Sequence, residues 1–590
     1  MPSSITKNIR IFLWVALAMI VLVNYQTFTA EFAQREAAEQ AAAAANPPPS
    51  LTDAVPQAVA TAAPAADGAA GAGAATGVGE VPAVTAPDAG AGAVPTVGAS
   101  PSAGPAPATL LHVRTDVFDI DVSLHGGEIV RADLRQYPVM KGQAEVVRLM
   151  RNNGPGDLYL LQTGLVGAGA NAAAGPYPTH LAEFTSDFSG FDMDVSGLDD
   201  LRVPLKWASP DGVMVTKTYV FRRGSYRIDV EYEITNGSAA PWSIAPYTQI
   251  LHDVPPMKRS YFNPNTYAFT GPALYDGTKY QKLKITNEDD AHLSRDITNG
   301  WMASLQHHFV AAIAPSKDEA DHYTLRVQGN EYLASVVGPV RTVAAGEMAQ
   351  INGTMFVGPK LQKQLDAIHP ELSRAADYGR LTFLARPLFW LLQFAFNIFG
   401  NWGMSIVAAT FFLKLLFYPL SEAAGRSMAK MKQLQPRMKQ IQEMYKDDRE
   451  KLGRATMELY KKEKINPAAG CLPMLIQLPV FIAFYWVLLE SVEMRQAPFV
   501  GWIQDLSVRD PLFILPVIMA GAMFLQYKLQ PTPADPVQAK VFMVLPLVMS
   551  ATFAVFPAGL VLYWVTNTIL TIVQQWNINR RIEAARVLRD

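Results

Sequence analysis

The sequence predicts a polytopic α-helical membrane protein with a large antiparallel β-sandwich on one side of the bilayer. Three observations carry this. Six apolar runs have the length and composition of membrane spans, one at the start of the chain and five after residue 400. Between about Leu110 and Val357 the side chains alternate apolar and polar with a period of two. Lys and Arg gather in alternate connections between the apolar runs.

Composition narrows the field. Of 590 residues, 50% are hydrophobic and only 17% charged, a greasier balance than a soluble protein shows. A formal net charge of −2 argues against a nucleic-acid binder. The one cysteine, Cys471, allows no intrachain disulfide and reads as a small buried hydrophobe at the head of an apolar run. No metal-ligand spacing and no Walker-type loop occur. We therefore expect no cofactor, no metal and no enzymatic activity.

In chain order, residues 1–28 read as a transmembrane anchor. Lys7 and Arg10 precede the run Ile11–Val23, and no A-x-A site follows at once; a cleaved signal peptide is the alternative. Residues 29–108 are rich in Ala, Gly and Pro and read as a flexible tether with no core of its own. Residues 109–365 form the β-sandwich. In VFDIDVSL, Phe118, Ile120, Val122 and Leu124 alternate with Asp119, Asp121 and Ser123, and YRIDVEYEI repeats the pattern from Tyr226 to Ile234. Residues 366–400 are aromatic-rich with Arg380 and Arg386, which suggests an amphipathic helix in the membrane interface; a span is the alternative.

Asn401–Trp402–Gly403 opens the second span, 401–420. The basic stretch 421–470 has Met428, Met431, Leu434, Met438, Ile441 and Met444 at helical spacing, then a break at Lys446–Asp447–Asp448–Arg449 and a returning helix that stops at Asn466–Pro467. This reads as a helical hairpin. Its methionines either pack hairpin on hairpin or present an adaptable apolar stripe to partners. Spans follow at 471–492, 511–528, 541–557 and 558–576, with connections 493–510 and 529–540 and a tail 577–590. Twelve Lys and Arg lie between Arg426 and Lys464, against only Arg495 and Arg509 in the next loop. With the first span running outward, both termini and the hairpin are cytoplasmic and the β-domain is exported.

Lys414 is the anomaly. It lies 12 residues past Trp402, about 18 Å into the second span, where a lysine costs about 2.5–3.5 kcal/mol. One reading is snorkelling to the headgroups. The other is a lysine that faces a water-filled cavity. Thr410 lies one turn earlier on the same face. Other spans contribute the amides Gln477 and Asn567, and no Asp or Glu falls at this depth. An unpaired cation in a hydrated groove attracts something anionic that passes through.

NWGMSIVAATFFLKLLFYPL, SMAKMKQLQP, KINPAAGCLPMLIQLPVF, SVEMRQAPF, WIQDLSVRDP, FPAGLVLYWVTN and the β-domain stretch GWMASLQHHFVAAIAP together resemble the YidC-type membrane protein insertases of Gram-negative bacteria. The resemblance implies a five-helix core around a hydrophilic groove, a periplasmic β-domain and residence in the inner membrane. In that family the groove charge is usually an arginine, so Lys414 is a departure, one that keeps the charge and loses the planar fork. Thr410 matches a polar groove position. Leu478 and Pro479, beside Gln477, match the surface along which clients slide, and Tyr563–Trp564 match an aromatic pair that is often two tyrosines. The partners implied are nascent membrane proteins, Sec translocon components and the lipid bilayer. A ribosome–nascent chain is a further partner, although so short a tail argues against direct ribosome binding. Two other classes remain open: a secondary transporter of an anionic solute, which predicts inverted repeats, and an envelope enzyme merely anchored by its helices.

Overall fold

The computed structural model describes residues 51–58, 110–168, 176–255, 268–445, 448–463, 472–529 and 536–587. The expected anchor 1–28, Cys471 and the Asn466–Pro467 turn lie outside these residues. Among the described residues, the strands form an eleven-stranded and an eight-stranded sheet. Pairing between neighbouring strands is antiparallel except where Leu110–Arg114 meets Gly190–Asp192. The two sheets close over one apolar core that includes Phe118, Tyr159, Tyr219, Ile228, Trp301 and Phe356. The Ile228–Ile234 alternation is explained by its register: that strand pairs with Val213–Arg222 on one side and Met348–Pro359 on the other, with alternate side chains in the core.

One strand departs from alternation. Leu158–Gly167 is buried along nearly its whole length, on both faces. Residues 51–58 cause part of this. They lie within the expected free tether, yet they pack on the outer face of the larger sheet, where Leu51 and Ala54 meet Leu158, Leu160, Leu251 and Leu333. Local composition shows why this segment docks. Leu51 is the only Leu, Ile, Met or aromatic residue between Gln40 and Ala108, so it alone brings a large apolar side chain to the sheet.

The helical part begins with α1 (Thr382–Phe399), α2 (Trp402–Leu416) and α3 (Tyr418–Gln433). The basic segment continues with α4 (Gln435–Met444) and α5 (Arg449–Lys462), which pack on each other as a hairpin. The last four are α6 (Leu472–Glu490), α7 (Ile514–Leu529), α8 (Pro536–Phe553) and α9 (Ala558–Val587). By length and composition, α1 is long and apolar enough to cross a membrane, and α2 with Tyr418–Met431 qualifies as a pair bent by 69°. Shorter apolar helices run over Gln477–Glu490, Ile514–Leu529 and Met543–Phe553.

The bend falls inside the expected span 401–420. Pro419 has no N–H to bond back to the Leu415 carbonyl and its ring crowds that carbonyl, and the helix breaks at Phe417 before continuing directly as α3. The outward side of α1 is apolar as well: Phe383, Trp390, Phe394 and Ile398 are exposed while Leu388, Phe389 and Leu392 are buried. A face of that kind suits lipid rather than water.

The β-domain rests on the near ends of the helices. Arg495 donates to the carbonyl of Pro138 at 2.7 Å, Lys141 donates to the carbonyl of Gln504 at 2.8 Å, and His307 Nε2 donates to the carbonyl of Leu489 at 2.8 Å. Buried Lys360 stands 3.8 Å from buried Glu490. Burial holds the Lys360 ammonium below its usual range and pushes the Glu493 carboxyl up to about 7.

Candidate functional site: a one-sided polar pocket among the spans

Four helices converge on an open pocket at the end of the helical core remote from the β-domain. From α2 and the turn residue that ends it come Thr410, Leu413, Lys414 and Phe417, spaced i, i+3, i+4 and i+7, and from the first turn of α3 come Leu420 and Ser421. From α6 come Gln477 and Val480, and from α9 Tyr563 and Asn567, each pair one turn apart on one helix face. Helical spacing thus brings Thr410, Lys414, Ser421, Gln477 and Asn567 together within a lining that is otherwise apolar. The opposite side of α2 exposes Phe411, Phe412, Leu415 and Leu416, the side suited to lipid.

Toward the β-domain the same helices close up. Ile406 and Ala409 of α2, Phe484 and Val487 of α6, and Leu560 and Val561 of α9 are buried together. Phe484 stacks on Tyr563 with ring centroids 4.5 Å apart. Gly403 lets α2 approach Phe499, since a Cβ there would stand 2.1 Å from that ring. The pocket therefore has a dense apolar floor and a mixed lining, in which Lys414 is the one charged side chain.

The electrostatics are simple. Among the described residues, Lys414 has neither a carboxylate within ion-pair distance nor a hydrogen-bond partner, and it is half-buried. Gln477 hydrogen-bonds to the Tyr563 hydroxyl across the α6–α9 seam, which satisfies an amide that hydrocarbon would penalise. Thr410 donates to the carbonyl of Ile406 in its own helix at 2.6 Å, as Thr552 and Thr571 do to theirs. Its hydroxyl is thus largely internal bookkeeping of α2, although its side chain still lines the pocket.

Of the residues expected from sequence, Lys414, Thr410, Gln477, Tyr563 and Asn567 meet in this pocket. Leu478, Pro479 and Trp564 do not line it. Leu478 is 52% exposed and Pro479 is exposed beside it on the outer surface of α6. Trp564 is wedged between α6 and α8, edge-on to Phe481 at 4.9 Å and 5.1 Å from Phe553. Sequence reasoning missed Leu413, Phe417, Leu420, Ser421 and Val480. Helical spacing from Thr410 and Gln477 points to Leu413, Phe417, Ser421 and Val480.

The fold and the pocket define a class: an integral membrane protein with a lysine-bearing, floor-closed pocket among its helices and a β-domain beyond the floor. Comparison with known proteins specifies it. Residues 394–585 match the family described as 60Kd inner membrane protein, and residues 110–391 match the YidC periplasmic domain. Membrane protein insertase YidC of Thioalkalivibrio sulfidiphilus is 47% identical over 482 residues, covering 80% of this chain and 85% of the relative. The corresponding protein of Nitrosococcus oceani is 44% identical over 477 residues, covering 80% and 86%. A crystal structure of an active YidC insertase with its first transmembrane domain resolved covers 79% of this chain and 93% of its own, with TM-score 0.37 and 18% identity. The chain belongs to the YidC family of membrane protein insertases. It is an inner-membrane protein with a periplasmic β-domain and a helical membrane core.

Proposed function

We propose that the chain inserts nascent membrane proteins by receiving their short polar tails in the Lys414 pocket and releasing their apolar helices along Leu478 and Pro479 into lipid. The observation that carries this is the unpaired half-buried Lys414 above a sealed apolar floor. A fixed ion pair would neutralise that charge; its absence among the described residues leaves it available to an acidic tail. A lysine-bearing cavity part-way through the membrane shortens the hydrocarbon that the tail must cross, and each unsatisfied backbone group spared that passage saves several kcal/mol. Burial of the client's apolar helix in lipid then drives the step forward.

In this reading the chain has six spans and both termini are cytoplasmic. Its hairpin offers the exposed Met444 and Met457 to emerging clients. It works alone or beside the Sec translocon, and a ribosome reaches it through the nascent chain. Reconstitution tests the function. Purified protein in liposomes free of other proteins should insert a single-span client with a short acidic tail, without added nucleotide. Solute uptake by those liposomes with no client insertion would favour the transporter instead.

A further inference from the structure

The outer face of the larger sheet, opposite its core-facing side, is built in rows. Leu251 stands opposite Leu160 and Leu333, Gln249 opposite Gln162 and Ser335, and Tyr247 opposite Gly164 and Val337. The middle row is polar and buried: Gln249 Nε2 donates to Gln162 Oε1 at 2.7 Å, Gln162 Nε2 donates to Glu128 at 2.9 Å, and Ser335 donates to Gln249 at 3.2 Å. Amides in that position need further partners, and residues 51–58 supply them. Gln162 Nε2 donates to the Thr52 carbonyl at 3.3 Å and Gln249 Nε2 to the Ala54 carbonyl at 3.1 Å. His180 Nε2 donates to the Thr52 carbonyl at 3.1 Å, while its Nδ1 stands 2.7 Å from the Tyr247 hydroxyl. The Leu51 amide donates to Glu331 at 2.6 Å.

Each of these hydrogen bonds to the segment is made to its main chain. The apolar contacts take small or aliphatic side chains: Leu51 and Ala54 on the leucine row, Ala58 beside Ala245, Tyr247 and Val337, and Pro56 buried between. A surface that reads main-chain groups, one aliphatic side chain on its leucine row and small side chains elsewhere does not demand one sequence. It fits an extended, unfolded polypeptide that carries an aliphatic residue among small ones. Residues 51–58 are also flanked by Ala/Gly/Pro-rich chain on both sides, so they occupy the face as a tethered ligand at an effective concentration on the order of millimolar.

We propose that this face is a binding cleft for extended polypeptide, that residues 51–58 are its resident occupant, and that the translocated, still unfolded segment of a client displaces them. The identity of the displacing ligand rests on the insertase reading above; the cleft itself does not.

Two measurements on the full chain test it. In the first, a fluorescent peptide of residues 49–60 is titrated by anisotropy against the intact chain in nanodiscs and against Leu51→Asp/Ala54→Asp/Pro56→Gly, which unseats the segment. The unseated chain should bind at least tenfold more tightly than the intact one, and Gln249→Leu in that background should weaken binding at least fivefold. Equal, non-saturating signals from intact and unseated chains with unchanged β-domain melting would mean that the segment is only a strap, and would overturn the cleft. The second measurement needs no unseated variant. A photocrosslinker at Leu333 in the intact chain should capture the translocated segment of an arrested client. Crosslinks from position 414 with none from 333 would overturn the proposal and leave the insertase reading standing.

Discussion

Replacing Lys414 tests whether the pocket works through its charge. Two unit charges in contact at about 4 Å interact by about 1 kcal/mol in water and about 4 kcal/mol at the effective dielectric of a partly hydrated protein site. Lys414 is half-buried over an apolar floor and unpaired among the described residues, so its worth to an acidic client tail falls between these limits. Lys414→Ala should slow insertion of acidic-tailed clients by about fivefold at the weak limit and more than a hundredfold at the strong one. Lys414→Glu should be worse still, because attraction becomes repulsion of similar size. Lys414→Arg should be nearly silent. The assay is protease protection of translocated tails, for a client bearing two Asp in its tail and for the same client with both changed to Asn, at matched expression. Salt should weaken the effect less than for a surface pair, since the pocket excludes part of the ionic atmosphere. Equal insertion of both clients by Lys414→Ala would mean that the lysine only anchors α2 at the headgroups, and the argument would fail.

Two further substitutions probe the scaffold. Gly403→Ala places a methyl 2.1 Å from the Phe499 ring, so it should lower the thermal midpoint by an amount worth about 1–3 kcal/mol; an unchanged midpoint would show that the α2 seam is loose. Asp321 is buried in the β-domain, and burial first, then Glu319, pushes its carboxyl up to about 7, with Arg341 opposing. Its folded form thus holds a proton that the unfolded form loses near 3.8, a penalty absent below pH 4 and full above pH 7. Asp321→Asn should therefore stabilise by up to roughly 4 kcal/mol at pH 8 and hardly at all at pH 4. Calorimetry at the two pH values decides, and equal gains would contradict the assignment.

The site was legible where physics leaves a local trace. A lysine inside an apolar run, a threonine four residues before it, and lone amides in other runs are each costly in hydrocarbon, so each announces a polar environment. Thr410, Lys414, Gln477 and Asn567 do meet in one pocket, joined there by Tyr563, which came from resemblance. Leu478 and Pro479 came from resemblance alone, and they lie on the outer surface, where nothing in periodicity would have singled them out. The strands were legible from alternation, yet Leu158–Gly167 was not, because burial on both faces erases the period. The docking of residues 51–58 escaped notice for a related reason. One leucine in an Ala/Pro-rich stretch is a weak signal until the receiving row of Leu160, Leu251 and Leu333 is seen. The bend at Phe417 had a local signal in Pro419, which hydropathy averaged over the span hides.

The most direct test of the account is where a client sits while it is being inserted. A photocrosslinker is placed in turn at 414, 478 and 411, and a ribosome-stalled client is arrested with its tail half-translocated. The account predicts that position 414 captures the polar tail, that position 478 captures the apolar helix, and that position 411, on the exposed aromatic side of α2, captures neither. Capture of tail and helix alike at 411, with none at 414, would contradict it.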